Sequence, residues 1–231
     1  MSRAERPDPP PAAPLTAGQR VLLVAVTAAV IGLNWFPNRA WREAVSDLAG
    51  HPAYRGPWLV VEHALLYSTL PALAALAAWW WLARRRLVPP PRESFSLGAH
   101  PRRTVLAGLA GGLAVSALVL GVVAASGAAP LHAPSLDAWS WLGNLVSNLW
   151  EEIWFSGLVL LALVAATGRR WAGVILTSLV FAAIHTQYPL GFKVLIAVNA
   201  SLMGGVRLWT GSLWTAWIVH QMSDMIVDTF L

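Results

Sequence analysis

Long apolar runs separated by short polar, proline-rich or arginine-rich stretches set the plan of this chain. The runs cover residues 21–33, 58–82, 105–125, 139–166, 171–185, 192–208 and 212 to the end. Most approach the roughly 20 residues that an α-helix needs to cross a bilayer. The pattern predicts an all-α fold, a polytopic transmembrane bundle of about seven helices. The last two runs are short, which suggests a tilted or re-entrant pair. Residues 1–19 are rich in Pro and Ala and read as a disordered tail. A cleaved signal peptide fits poorly, because the polar leader is long and no small-residue cleavage site follows the first run. Residues 20–138 then hold the N-terminal transmembrane helices, and 139–231 a C-terminal helical core. Gly108, Gly111 and Gly112 permit close helix packing in the third span. Trp79, Trp80 and Trp81 end the second as an aromatic belt.

Composition strengthens this picture. Hydrophobic residues make up 57% of the chain and charged ones 12%, which places it in a membrane. Lys193 is the only lysine; the other basic residues are arginines, clustered in the connections. A cytoplasmic N-terminus puts twelve of the 16 basic residues inside: Arg3, Arg6, Arg20, Arg84 to Arg86, Arg92, Arg102, Arg103, Arg169, Arg170 and Arg207. The positive-inside rule therefore favours that orientation. The positive charge reports topology and not nucleic-acid binding. Abundant Ala, Gly, Pro, Trp and Arg suit a bacterial chain from a GC-rich genome, hence the inner (cytoplasmic) membrane. The absence of cysteine excludes disulfides, thiolate metal sites and a thiol nucleophile.

Against this apolar background the ionisable residues stand out. Each costs roughly 2.5–3.5 kcal/mol at bilayer depth on insertion scales. Glu151 and Glu152 are adjacent in the fourth span. Neighbours on a helix point about 100° apart, so one carboxylate can face a cavity while the other makes a structural contact. A carboxylate beside a cavity is a candidate general base. His185 ends the fifth span. His220 and Asp224 stand at i and i+4 on one face of the last, placed for an internal hydrogen bond, a metal or a developing oxyanion. Each alone is compatible with a packing role. Glu62 and His63 form a further pair in the second span, fit either to bond polar groups in the bundle or to line a water path. Asn144, Asn148 and Asn199 supply polar groups for a cavity, with Asn148 on a face similar to that of Glu151.

The order Glu151-Glu152-x-x-Phe155-x-Gly157, then Phe181-x-x-x-His185, then Gly211-Ser212-Leu213-Trp214 leading into His220-x-x-x-Asp224, resembles the CPBP (Abi) family of membrane proteases. That family takes in CAAX prenyl endopeptidases and bacterial bacteriocin-processing and self-immunity proteins. The resemblance spans residues 142–224. It implies an intramembrane endopeptidase of the glutamic type, without an obligate metal or other cofactor, acting on a membrane-associated protein or peptide. Glu151 would activate a water with the help of His185. His220 and Asp224 would bind the oxygen of the tetrahedral intermediate or position the carbonyl, and Glu152 would orient the site.

The chain departs from the family at two positions. Ser156 replaces an arginine that would pair with Glu152, leaving Glu152 to protonation, a bond to Ser156, or Arg207 from another helix. Asp224 stands where asparagine is more usual and donates a hydrogen bond only when protonated; otherwise it orients His220. Glu151, His185, His220 and Asp224 also offer ligand types that bind zinc, but no His-Glu-x-x-His signature is present. Zinc is the alternative within the enzyme class. Outside that class the rival is a small proton-coupled transporter or a non-catalytic scaffold. Matching halves with interrupted helices, the usual transporter pattern, are not evident. The positions of Glu151, His185 and His220 along their spans point to access from the extracytoplasmic side.

Overall fold

Capping residues fix where the helices begin and end. In the computed structural model, which describes residues 14–35, 60–61, 69–127, 130–134 and 137–230, the first helix starts at Ala17. There Thr16 and Gln19 exchange backbone-to-side-chain hydrogen bonds of 2.8 and 3.3 Å, a capping box. Asp137 caps another start by accepting from the Trp139 N–H at 3.0 Å. Gly168 and Gly211 close two helices in the left-handed conformation, φ 68° and 76°, which glycine adopts without a Cβ clash.

Eight helices occur among the described residues, and no strand. They are α1 (Ala17–Trp35), α2 (Thr69–Arg84), a single turn α3 (Pro91–Ser94), α4 (Pro101–Ser126), α5 (Ala138–Thr167), α6 (Arg170–Ile184), α7 (Leu190–Thr210) and α8 (Leu213–Phe230). Setting α3 aside, seven helices fall in the seven apolar runs, three of them (α4, α5 and α7) long and apolar enough to cross a bilayer, and the described residues form the all-α bundle expected. Helix α7 has 21 residues and is long and apolar enough to cross a bilayer, so the expected shortness does not hold for it. Pro189 starts that helix two residues ahead of the apolar run. Glu62 and His63 lie outside the described residues.

Helix α5 is the central element. Of its most apolar 18-residue window 67% is buried, against 22% for α4 and for α7, whose leucines and valines face outward toward lipid. Its middle, Ile153–Val159, is a π-helical segment placed immediately after the glutamate pair. Such segments widen a helix locally and often accompany functional sites. Gly157 within it gives room to the Trp79 ring; a Cβ there would lie 2.5 Å from the indole. Trp79 is fully buried and donates to the Pro89 carbonyl at 2.7 Å. Only Trp80 and Trp81 remain exposed, beneath the guanidinium groups of Arg84 and Arg85 at 3.3 and 4.3 Å. The expected belt of three is therefore two interfacial rings and one core anchor.

Among the described residues, one end of the bundle collects the arginines. Arg20 donates to the Ala166 carbonyl at 2.9 Å, Arg103 lies 4.0 Å over the Trp209 ring, and Arg207 donates to Ser94 at 2.6 Å. At the opposite end the 127–137 connection meets the last turn of α8, with the His132 N–H donating to the Phe230 carbonyl at 3.0 Å.

Helices α4 and α8 approach closely at the glycines singled out in the sequence. A Cβ at Gly108, Gly111 or Gly112 would sit 2.7 Å from Ile218, 2.9 Å from Val219 or 2.6 Å from Met222. Gly112→Val should therefore separate this pair and cost roughly 1–3 kcal/mol, the usual range for overpacking. Gly121→Ala on the same helix, with nothing within 4 Å, should be neutral or slightly stabilising. Thermal unfolding of the two variants in detergent checks the contrast; equal behaviour contradicts the packing account.

Candidate active site

Three polar rungs join α5 to α8. The Asn144 amide donates to Asp228 Oδ2 at 3.0 Å, the Asn148 amide to Asp224 Oδ2 at 2.9 Å, and Glu152 Oε1 meets His220 Nδ1 at 2.8 Å. Each rung advances four residues along α5 while retreating four along α8, as one face of each helix in an antiparallel pair requires. Asn148 also donates to Gln221 Oε1 at 3.2 Å, and Trp217 donates to the Leu145 carbonyl at 3.1 Å. The ladder fixes the register of α8 on α5. It turns Glu152 inward, fully buried, and leaves Glu151 on the neighbouring face.

That face borders a cavity of about 480 Å³. Glu151, His185, His220 and Asp224 all line it, with Asn144, Asn148, Asn199 and Asp228. Four of the five candidate residues thus share one space, and the fifth, Glu152, stands behind His220. His185 caps the C-terminal end of α6, and its Nδ1 lies 2.7 Å from the Phe181 carbonyl oxygen. A carbonyl only accepts, so Nδ1 carries the proton and Nε2 of a neutral ring is left as an acceptor. His220 is held in the complementary way. Glu152 Oε1 accepts a hydrogen bond from its Nδ1–H at 2.8 Å, and its Nε2 points toward Asp224 Oδ2 at 3.5 Å. Phe181 packs between the imidazoles, 4.6 Å from the His185 ring and 5.8 Å from that of His220.

The lining has a polarity along the bundle. Its residues come from the second half of α4, the first half of α5, the end of α6, the first half of α7 and the second half of α8. All of these lie in the part of the bundle away from the arginine-rich end. The exposed residues Gln187 and Tyr188, in the connection between α6 and α7, form part of the rim. Among the described residues the cavity is lined by three carboxylates, two histidines and no lysine or arginine.

Glu152 does not pair with Ser156. Its Oε1 holds His220, while its Oε2 is buried without a hydrogen-bond partner. Arg207, also buried, has an unpartnered Nε and feels Glu152 as its electrostatic neighbour, making no direct ion pair with it. The charge that the missing arginine would have supplied comes through space from α7. Asp228 is a cavity residue not anticipated from the sequence; its position four residues after Asp224 was the available signal. Among the described residues no three His, Asp or Glu side chains are arranged to hold a metal ion; the close contacts here are paired ones.

With these contacts in place, Glu152→Ala should leave Arg207 without its nearby counter-charge and strip His220 of its closest partner, with only the longer contact to Asp224 at 3.5 Å remaining. Removing one partner from a buried charged pair costs about 3–5 kcal/mol, so the variant should unfold well below the wild-type temperature. Unchanged thermal stability contradicts the role given to Glu152.

The ladder, the two oriented histidines and a carboxylate on a cavity wall place acceptors and donors where they could hold and polarise a small polar molecule within an apolar bundle. Residues 133–226 match the family model described as Type II CAAX prenyl endopeptidase Rce1-like. The match is to the same CAAX-protease family that the motifs of this segment resemble, and the matched residues include all five candidate residues. No curated protein and no solved structure matches the chain.

Proposed function

We propose that the chain is an intramembrane endopeptidase that hydrolyses a peptide bond in a membrane-associated protein or peptide, using a water activated by Glu151. The observation that carries this reading is the convergence of Glu151, His185, His220 and Asp224 on one cavity, within the segment that matches the family. Glu151 and the free Nε2 of His185 both accept hydrogen bonds, so together they hold a water by its two protons. Glu151 takes one proton as the oxygen attacks the scissile carbonyl, then delivers it to the leaving amine. Protonated His220, flanked by Glu152 and Asp224, presents Nε2–H where negative charge develops on the carbonyl oxygen. Asp224 acts as a carboxylate that orients His220, since its Oδ2 accepts from Asn148. The mechanism works without an obligate metal, with zinc hydrolysis as the alternative.

The N-terminus and the arginine-rich end face the cytoplasm, in keeping with the charge distribution. The cavity then opens on the extracytoplasmic side of a bacterial inner membrane. That placement favours exported substrates, such as a bacteriocin leader or the C-terminal anchor of a surface protein, over a prenylated tail at the cytoplasmic face.

Glu151→Gln keeps the shape of the side chain and removes the base, so cleavage should fall by at least the 10²–10⁴-fold that general bases contribute, with folding intact. Comparing protein termini in the membrane and secreted fractions of cells with wild-type or Glu151→Gln chain should reveal leaders or anchors retained only in the mutant. Identical termini, with both chains folded and expressed, would favour the transporter or scaffold. Activity should survive a chelator; loss restored by added zinc would support the metal mechanism. Asp224→Asn should impair turnover through disordered His220, whereas full activity would assign the position a donor role.

A further inference from the structure

A second concavity lies on the outer face of the bundle, and it owes nothing to the proposed chemistry. It is a groove of about 420 Å³ between α6 and α7, walled by Arg170, Trp171 and Ile175 on one side and by Ser201, Gly205 and Trp209 on the other. Its floor is apolar. Gly205 leaves open space, with nothing within 4 Å of where a Cβ would stand, and the Ser201 hydroxyl turns back onto the Ala197 carbonyl at 2.8 Å. Its mouth is cationic and aromatic. Trp171 and Trp209 are 61% and 59% exposed, as interfacial tryptophans are. Arg170 lines the groove, Arg103 lies 4.0 Å over the Trp209 ring, and Arg169 lies 5.9 Å from that of Trp171. Among the described residues no aspartate or glutamate lines the groove.

A groove on the lipid-facing surface of a membrane bundle is bathed in hydrocarbon chains, and guanidinium groups at its headgroup end favour anionic lipid. We propose that this groove binds an anionic glycerophospholipid, with one acyl chain lying along Ile175 and Gly205 and the phosphate among Arg170, Arg169 and Arg103. Further along the same two helices, away from the arginine-rich end, Phe181 and Asn199 line the cavity. The bound lipid therefore buttresses the α6–α7 pair from outside.

Native mass spectrometry of the full chain, released from vesicles of equimolar phosphatidylglycerol and phosphatidylcholine, tests this directly. Wild type should retain phosphatidylglycerol in preference, and Arg170→Gln should weaken the preference about fivefold, from roughly 1 kcal/mol per arginine near an anionic surface. Gly205→Leu, at a position where a Cβ meets nothing within 4 Å, puts a side chain into the groove and should abolish retention. Gly191→Leu, equally open but outside the groove, should keep it. Equal retention of the two lipids by wild type would overturn the proposal, as would undiminished retention by Gly205→Leu. The readout needs no proteolytic activity, so it stands or falls independently of the enzyme assignment.

Discussion

The buried contact between Glu152 and His220 is the constraint on which the rest of the site depends. Two ionisable groups lie in the middle of an apolar bundle, and neither is tolerable there without the other. Their 2.8 Å contact is the deepest rung of a ladder whose outer rungs, Asn148–Asp224 and Asn144–Asp228, fix the rotation and register of α8 against α5. Once that register is set, Glu151 has one direction left to face, and His220 presents one nitrogen to the cavity.

The same arrangement gives the site a direction. Every wall of the cavity is built from the half of its helix that lies away from the arginine-rich end. The basic end is tied together by guanidinium contacts to carbonyls, a hydroxyl and indole rings. Arg207 connects the two regions. It is anchored at the basic end through Ser94, and its charge is felt by Glu152 at the base of the ladder. A polar, acidic cavity at one end and a cationic, interfacial surface at the other follow from one distribution of side chains.

Among the described residues the positions of the helices were legible in the sequence, because hydropathy reports directly which segments are apolar. Helix ends were less so. Thr16, Gln19 and Pro189 act through local hydrogen bonds and backbone angles, which an apolar run does not register. Trp79 was read with its neighbours as interfacial, yet on a helix the middle of one face can be core while the next residue meets lipid. The candidate residues were legible as a set, since ionisable side chains in membrane spans are costly. Their pairing was not. The recurrence of polar residues every fourth position in both helices was visible, but the register between two helices is a property of neither alone. Ser156 pointed to a partner for Glu152 within its own helix or from Arg207, whereas the closest partner is His220.

The cavity assembled on the α5–α8 ladder is proposed to open, at the end of the bundle away from the arginines, to the exterior of the cell. The chain has no cysteine, so single cysteines report without background. The most direct measurement is labelling of intact cells with a membrane-impermeant maleimide, using Gln187→Cys at the cavity rim and Ser96→Cys near the basic end. The account predicts that the first is labelled from outside and the second only after the membrane is opened. The reverse pattern would contradict it.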